Sequence, residues 1–174
     1  GRLYDPFADL SDVVTEKSLN LENLLRLYER YLQKNRRWLL RDVPRRADMR
    51  PYEAVYHFNL YMYIFHFMEQ FGGQVWPEFP TGNGKVDLLI RYRGQDYALE
   101  VKSYVNRYEY KRAVEQAGWY GKELGLEEIV LAFFVERAGK AEREEYEKVY
   151  AGDDERATVK VVFVEVGEEN FGGH

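Results

Sequence analysis

Cysteine is absent from this chain of 174 residues. That excludes disulfides, a thiolate zinc site and a cysteine nucleophile, and it suits a reducing, cytoplasmic setting. No apolar run approaches the ~20 residues that span a bilayer, and no signal peptide is visible, so no membrane partner is expected. The chain begins Gly-Arg-Leu-Tyr without an initiator Met, which fits an excised domain of a longer protein. An excess of positive charge is also missing: the net charge is -5, which by itself argues against a strongly nucleic-acid-binding surface. Internal repeats and low-complexity tracts are absent too.

What is present is an ordinary globular composition, 45% apolar and 32% charged, at a length that fits one domain able to bury a sizeable core. The charge is segregated. Residues 34–50 carry Lys34, Arg36, Arg37, Arg41, Arg45, Arg46 and Arg50 against Asp42 and Asp48, whereas residues 136–156 hold eight acids and five bases. A basic face is therefore possible on an acidic protein. Two readings of the Arg-rich stretch stand: a solvated connector, or a track for nucleic-acid phosphates.

Periodicity predicts the elements. Asn20 can cap a helix in which Leu21, Leu24, Leu25, Tyr28, Tyr31 and Leu32 recur at helical spacing. Pro44 breaks any helix in the connector. Pro51 suits the first turn of a second helix and Gly72-Gly73 its end. That helix is apolar almost all round, which predicts deep burial. Strands follow at 74–80, where Pro77 suits an edge, and at 86–92 and 97–104, joined through the hairpin signal Arg93-Gly94-Gln95. A helix over 112–124 precedes the continuous apolar run IVLAFFV at 129–135, which reads as a strand covered on both faces. An exposed charged helix over 141–150 and a last strand over 158–166 complete the chain. The fold class is α/β, a mixed sheet flanked by helices. Residues 1–50 read as an N-terminal helical extension with its connector, and 51–174 as the core of a single compact unit.

The stretch GNGKVDLLIRYRGQDYALEVKSY carries the chemistry. Residues two apart on a strand face one side, so Glu100 and Lys102 point together, and Asp87 opens the antiparallel partner strand. Two converging carboxylates repel unless a cation sits between them. An oxygen-only donor set selects a hard ion, Mg²⁺ or Mn²⁺. Such an ion activates water and neutralises charge on a phosphoryl group. Lys102 can orient the water or stabilise the transition state. The reaction favoured is hydrolysis of a phosphodiester. An ordinary surface hairpin with a Glu-Lys pair is the bland alternative.

Asp87, a spacer, then Glu100-Val101-Lys102 resembles the pattern of the PD-(D/E)XK nuclease superfamily, with Gly84-Lys85-Val86-Asp87 leading in; Val86 stands where the pattern has Pro. The order of elements from Pro51 onward is similar to that family's αβββαβ, restriction-endonuclease-like core. Gln116-Ala117-Gly118-Trp119-Tyr120 resembles the QxxxY motif of the RecB-like branch. More narrowly, the chain resembles nuclease-like domains at the C-terminal end of AAA-type ATPase proteins, which implies an ATPase domain or subunit as partner. The resemblance implies a metal-dependent deoxyribonuclease. Asp87, Glu100 and the Val101 carbonyl would hold the ion, with Glu53 binding through water or completing a second site. Lys102 would position the attacking water, and Gln116 and Tyr120 would reach Lys102 or a DNA phosphate.

Other roles stay open for several of these residues. Glu53, two residues past Pro51, also favours a helix N-terminus through the dipole. His57, one turn on, is a phosphate contact or a hydrogen-bonded packing histidine. Glu78 is a rival carboxylate just before the Asp87 strand, or a cap or an Arg partner on the edge strand, and Tyr120 reads also as a core residue. Trp38, Trp76 and Trp119 read as core or boundary residues and not as base-stacking platforms. Lys85, Arg91 and Arg93 could extend the track of Arg36, Arg37, Arg41, Arg45, Arg46 and Arg50. Gly82-Asn83-Gly84-Lys85 is too short for a phosphate-binding loop, which rejects an ATP site here. The alternative function is a non-catalytic nucleic-acid-binding or protein-assembly module that retains the fold, or an interaction domain regulating its ATPase.

Overall fold

A computed structural model describes residues 2–39 and 50–167, with side chains from residue 53 in the second segment. Arg41, Arg45 and Arg46 of the expected DNA track lie outside the described residues, as does the side chain of Arg50. Asn20 does cap the first helix: its Oδ1 accepts the Asn23 N–H at 3.0 Å, and α1 (Leu21–Leu39) follows. Helix α2 (Arg50–Glu69) ends at Gly72, whose φ of 78° is the left-handed conformation glycine tolerates best. Strands β1 (Gln74–Pro80), β2 (Lys85–Tyr92) and β3 (Gln95–Ser103) form a meander, then α3 (Arg107–Glu123) leads to β4 (Glu128–Val135). Helix α4 (Lys140–Tyr146), the short β5 (Val149–Tyr150) and β6 (Thr158–Glu165) close the chain.

The six strands form one mixed sheet in the order β1-β2-β3-β4-β6-β5. The meander is antiparallel; β4 runs parallel to both β3 and β6. Pro77 therefore sits on an edge strand, and the IVLAFFV strand is central, as expected. Its alternate residues feed two cores. Val130, Ala132 and Phe134 meet α1 and α2 on one face, where Leu88, Ile90, Leu99 and Val101 also lie. Ile129, Leu131, Phe133 and Val135 meet α3 on the other, with Tyr110, Ala113 and Ala117. Helix α1 belongs to the same core as α2, through Leu24, Leu25, Tyr28 and Leu32.

Several expectations need correction. The exposed helix over 141–150 is shorter: it stops at Tyr146, and Val149 and Tyr150 pair with β6 instead. The anchor is the Tyr110 hydroxyl, which bonds the Tyr146 carbonyl and the Tyr150 hydroxyl, both at 2.7 Å. Helix α3 begins five residues earlier than 112 because Asn106 caps it, accepting the Glu109 N–H at 2.8 Å. The hairpin turn is Arg93-Gly94, both with positive φ (52° and 76°), and Gln95 is already paired with Tyr92. Helix α2 is not buried all round. Tyr56, Leu60, Ile64, Phe67 and Met68 are buried, but Phe58 is exposed on the other side, and Tyr61, Met62 and Phe65 are half-buried. Two tryptophans are outside the core: Trp38 is 67% and Trp119 47% exposed.

Candidate functional site

The pairing of β2 with β3 stops at Leu88↔Leu99. One step further the two chains exchange side-chain bonds in place of backbone ones. The Asp87 N–H donates to Glu100 Oε1 at 2.8 Å, and the Val101 N–H donates to Asp87 Oδ2 at 2.7 Å. Each carboxylate is thus held by the other strand, and they meet where β2 and β3 part, while β2 stays paired with β1 and β3 with β4. Alternation also breaks here: Val86 and Leu89 join the core under α3, whereas Leu88 and Ile90 join the core under α2. On the far side of Asp87, the edge strand is irregular: Glu78 has φ 48° and drops out of the ladder between Pro77↔Leu88 and Phe79↔Val86. A non-glycine residue in that region stores backbone strain, which proteins tend to place near functional sites.

Glu100 is 3% exposed, the one buried charged residue of the described chain. Burial, then the neighbouring Asp87 carboxylate, pushes its pKa up to about 8. The Asp87 N–H and Lys102 pull in the opposite direction without cancelling this. Both helical layers approach the pair. From α2, His57 lies half-buried with its ring 5.6 Å from Phe134 and its Nε2 3.8 Å from Glu53 Oε1. Burial holds His57 below the ordinary histidine range, with Asp87 and Glu53 opposing and Lys102 reinforcing it. The histidine is packed, but its buried Nε2 lacks a hydrogen-bond partner among the described residues. From α3, Tyr120 has its hydroxyl raised by burial, then by Glu100, Glu123 and Asp87. Its ring fills the space over Gly84, where an added Cβ would stand 2.7 Å from the hydroxyl oxygen. Gln116, one turn earlier, is half-buried on the same side of α3.

Glu123 is a site feature that sequence reasoning missed. It accepts the Asn83 N–H on Oε2 and the Asn83 side-chain amide on Oε1, both at 3.0 Å. This ties the Thr81–Gly84 turn that leads into Asp87 to the end of α3. The signal was available: Gln116, Tyr120 and Glu123 recur at i, i+4 and i+7, one helical face.

Glu78 stands opposite Asp87 in the register but is taken by Lys85 at 2.9 Å and not by an arginine. Not all of the other expected residues gather here. Arg91 and Arg93 stand at the other end of β2, four or more residues and roughly 13 Å or more from Asp87. Arg91 is committed to Asp96 through two bonds of 2.7 and 3.0 Å. Arg36 and Arg37 occupy the last turn of α1.

Among the described residues no group of three or more His, Cys, Asp and Glu side chains is placed to hold a metal ion. The donors at hand are the Asp87 and Glu100 carboxylates and nearby backbone carbonyls. That set fits a hard, Mg²⁺-like ion, which takes one or two carboxylates and fills its remaining positions with water and phosphate oxygens. Glu53 would then act through water and not as a direct third carboxylate.

No family model matches this chain, and no protein of curated function matches it. Among solved structures, a type III CRISPR defence DNA nuclease activated by cyclic oligoadenylate is similar, with 18% identity and a TM-score of 0.39. The likeness covers 87% of this chain and 24% of that one, so this chain spans about a quarter of that protein's length. No helix among the described residues is long and apolar enough to cross a membrane.

Proposed function

We propose that this chain is a divalent-ion-dependent nuclease domain that hydrolyses DNA phosphodiester bonds and works within a longer, ATPase-linked protein. The observation that carries the reading is the cross-strand exchange of Asp87 and Glu100, which draws two carboxylates together beside Lys102. Asp87, Glu100 and the Val101 carbonyl would hold Mg²⁺ or Mn²⁺, with Glu53 reaching it through water. When bound, such an ion lowers the pKa of water and neutralises phosphoryl charge. The protein does the positioning. Lys102 orients the attacking water, and Tyr120 and Gln116 take a non-bridging phosphate oxygen from the α3 side. The water oxygen bonds to phosphorus as one P–O ester bond breaks; the water's proton passes to solvent and the departing oxygen takes a proton from solvent, leaving a phosphate monoester and a hydroxyl end. Backbone bonds fix both carboxylates beforehand, so little reorganisation is needed at the moment of reaction.

A non-catalytic nucleic-acid-binding or protein-assembly module is the alternative, favoured by the net charge of -5. Incubation with single- and double-stranded DNA plus Mg²⁺ or Mn²⁺, beside Asp87→Ala, separates the two. Metal-dependent cleavage lost in the variant is expected. Intact DNA under every condition, or a variant as active as wild type, rejects the nuclease reading.

A further inference from the structure

The exposed side of α3 is unusual. Tyr108 is 67% and Trp119 47% exposed, although a helix packed on a sheet normally turns polar residues to water. The two lie eleven positions apart, close to three helical turns, so both rings project from one side at a spacing of roughly 16 Å along the axis. Arg112 stands between them, its guanidinium 5.8 Å from the Tyr108 ring centroid. Lys111 and Lys122 flank the stripe. Among the described residues, none of Lys111, Arg112 and Lys122 has an ion-pair partner. Of the acids nearby, Glu123 holds the Asn83 turn, Glu109 sits in the first turn of α3, where the helix dipole favours it, Glu115, between the two rings, reaches Arg156 at 3.9 Å, and Asp153 is close enough to Lys122 for its pKa to be lowered by it.

We infer that this face is a stacking track for single-stranded nucleic acid, which deepens the nuclease reading and rests on it. Flat rings with a guanidinium between them, edged by lysines that no ion pair holds, match bases and phosphates in alternation. A duplex hides its base faces and would gain nothing from the rings. The track leads to the carboxylate pair: Trp119 is followed by Tyr120, whose ring covers Gly84 and whose hydroxyl is within electrostatic reach of Glu100 and Asp87. A strand stacked from Tyr108 to Trp119 is thereby delivered to Asp87 with its bases turned toward α3.

The test is the affinity of a labelled single-stranded 12-mer, and of the same sequence as a duplex, for wild type, the Tyr108→Ala/Trp119→Ala double variant, and Tyr108→Phe/Trp119→Phe. Ca²⁺ replaces Mg²⁺ to suppress cleavage, and circular dichroism checks folding. Each ring lost should weaken single-strand binding about tenfold, with duplex binding unchanged and the Phe pair close to wild type. The oligonucleotide should also quench wild-type tryptophan fluorescence far more than that of Trp119→Phe alone. Single-strand affinity unchanged in the Ala pair, no single-strand binding by wild type, or an equal fall for the duplex overturns the inference. Failure here with metal-dependent cleavage intact leaves the carboxylate site standing. Stacking without any cleavage keeps the track and rejects the nuclease. A wild type that binds neither nucleic acid but self-associates through this face would assign it to a protein partner.

Discussion

Replacing Glu100 with Gln should stabilise the metal-free protein, and increasingly so as pH rises. Glu100 ionises at about 8 in the folded chain against an ordinary value of 4.5. Between those values the native state holds a proton that the unfolded chain releases, so stability falls as pH rises through the window. The group's contribution is fully present below about pH 4.5 and lost above about pH 8. A raised carboxylate thus behaves oppositely to a salt-bridged one. The interval is about 3.5 pH units at ~1.4 kcal/mol each, a ceiling of about 5 kcal/mol and about 3 kcal/mol by pH 7. Gln keeps the shape and the oxygen that accepts the Asp87 N–H, carries no proton to lose, and can donate its amide to Asp87. Carboxylates remote from the site are common to both proteins, so the variant-minus-wild-type difference isolates the Asp87–Glu100 pair. In chelator-treated samples scanned from pH 4.5 to 8.5, Tm should coincide at the acid end. It should favour Glu100→Gln by about 6–12 °C near pH 7, at 2–4 °C per kcal/mol for a chain of this size. Parallel Tm curves across the whole range would refute the reasoning. Asp87→Asn removes only the second cause of the shift, since burial is the larger, so its difference curve should have the same sign and a smaller rise.

Gly84→Ala should cost about 1–3 kcal/mol in chemical denaturation by driving a methyl group into the Tyr120 ring, and Tyr120→Ala in the same chain should recover part of it. Arg143→Ala should destabilise by about 2–4 kcal/mol, because Glu29, bonded to Arg143 at 2.7 Å and 12% exposed, loses its cation; Mn²⁺ binding should be unchanged, since this network joins α1, α4 and β6 away from Asp87. Changing Arg45 and Arg46 together to Ala should flatten the salt dependence of DNA affinity by roughly 1–2 units if the connector contacts phosphates. An unchanged slope, measured in Ca²⁺, would make those arginines a solvated connector.

Elements whose period and punctuation agreed were legible from sequence alone. Asn20, the Gly72-Gly73 end of α2, Pro77 on the edge and the apolar run 129–135 of β4 each stand where local chemistry put them. The failures have physical causes. Residues 141–150 look helical throughout, yet a long-range bond from Tyr110 draws Val149 and Tyr150 into the sheet. Helix α2 carries apolar residues on every side, so its pattern could not reveal which side the sheet covers. Asp87 and Glu100 were readable as cross-strand neighbours because antiparallel pairing fixes their register. That their carboxylates replace the ladder bonds was not readable, because it depends on where β2 and β3 part; Glu123 could be placed on the face of Gln116 and Tyr120, but its partner Asn83 lies 40 residues away and could not be named. Trp119 was misplaced because a large aromatic on a sheet-packed helix is usually buried; its exposure became visible only once α3 was oriented by Tyr110, Ala113 and Ala117.

Mn²⁺ titration followed by electron paramagnetic resonance tests the central claim most directly, because it asks whether Asp87 and Glu100 form an ion site irrespective of any substrate. At pH 8 the wild-type protein should remove free Mn²⁺ from solution, Asp87→Ala and Glu100→Gln should not, and Arg143→Ala should bind as wild type does. Lowering the pH to 6 should weaken wild-type binding, since Glu100 must give up its proton to coordinate. Equal Mn²⁺ binding by wild type, Asp87→Ala and Glu100→Gln would contradict the account, as would a wild-type protein that binds none.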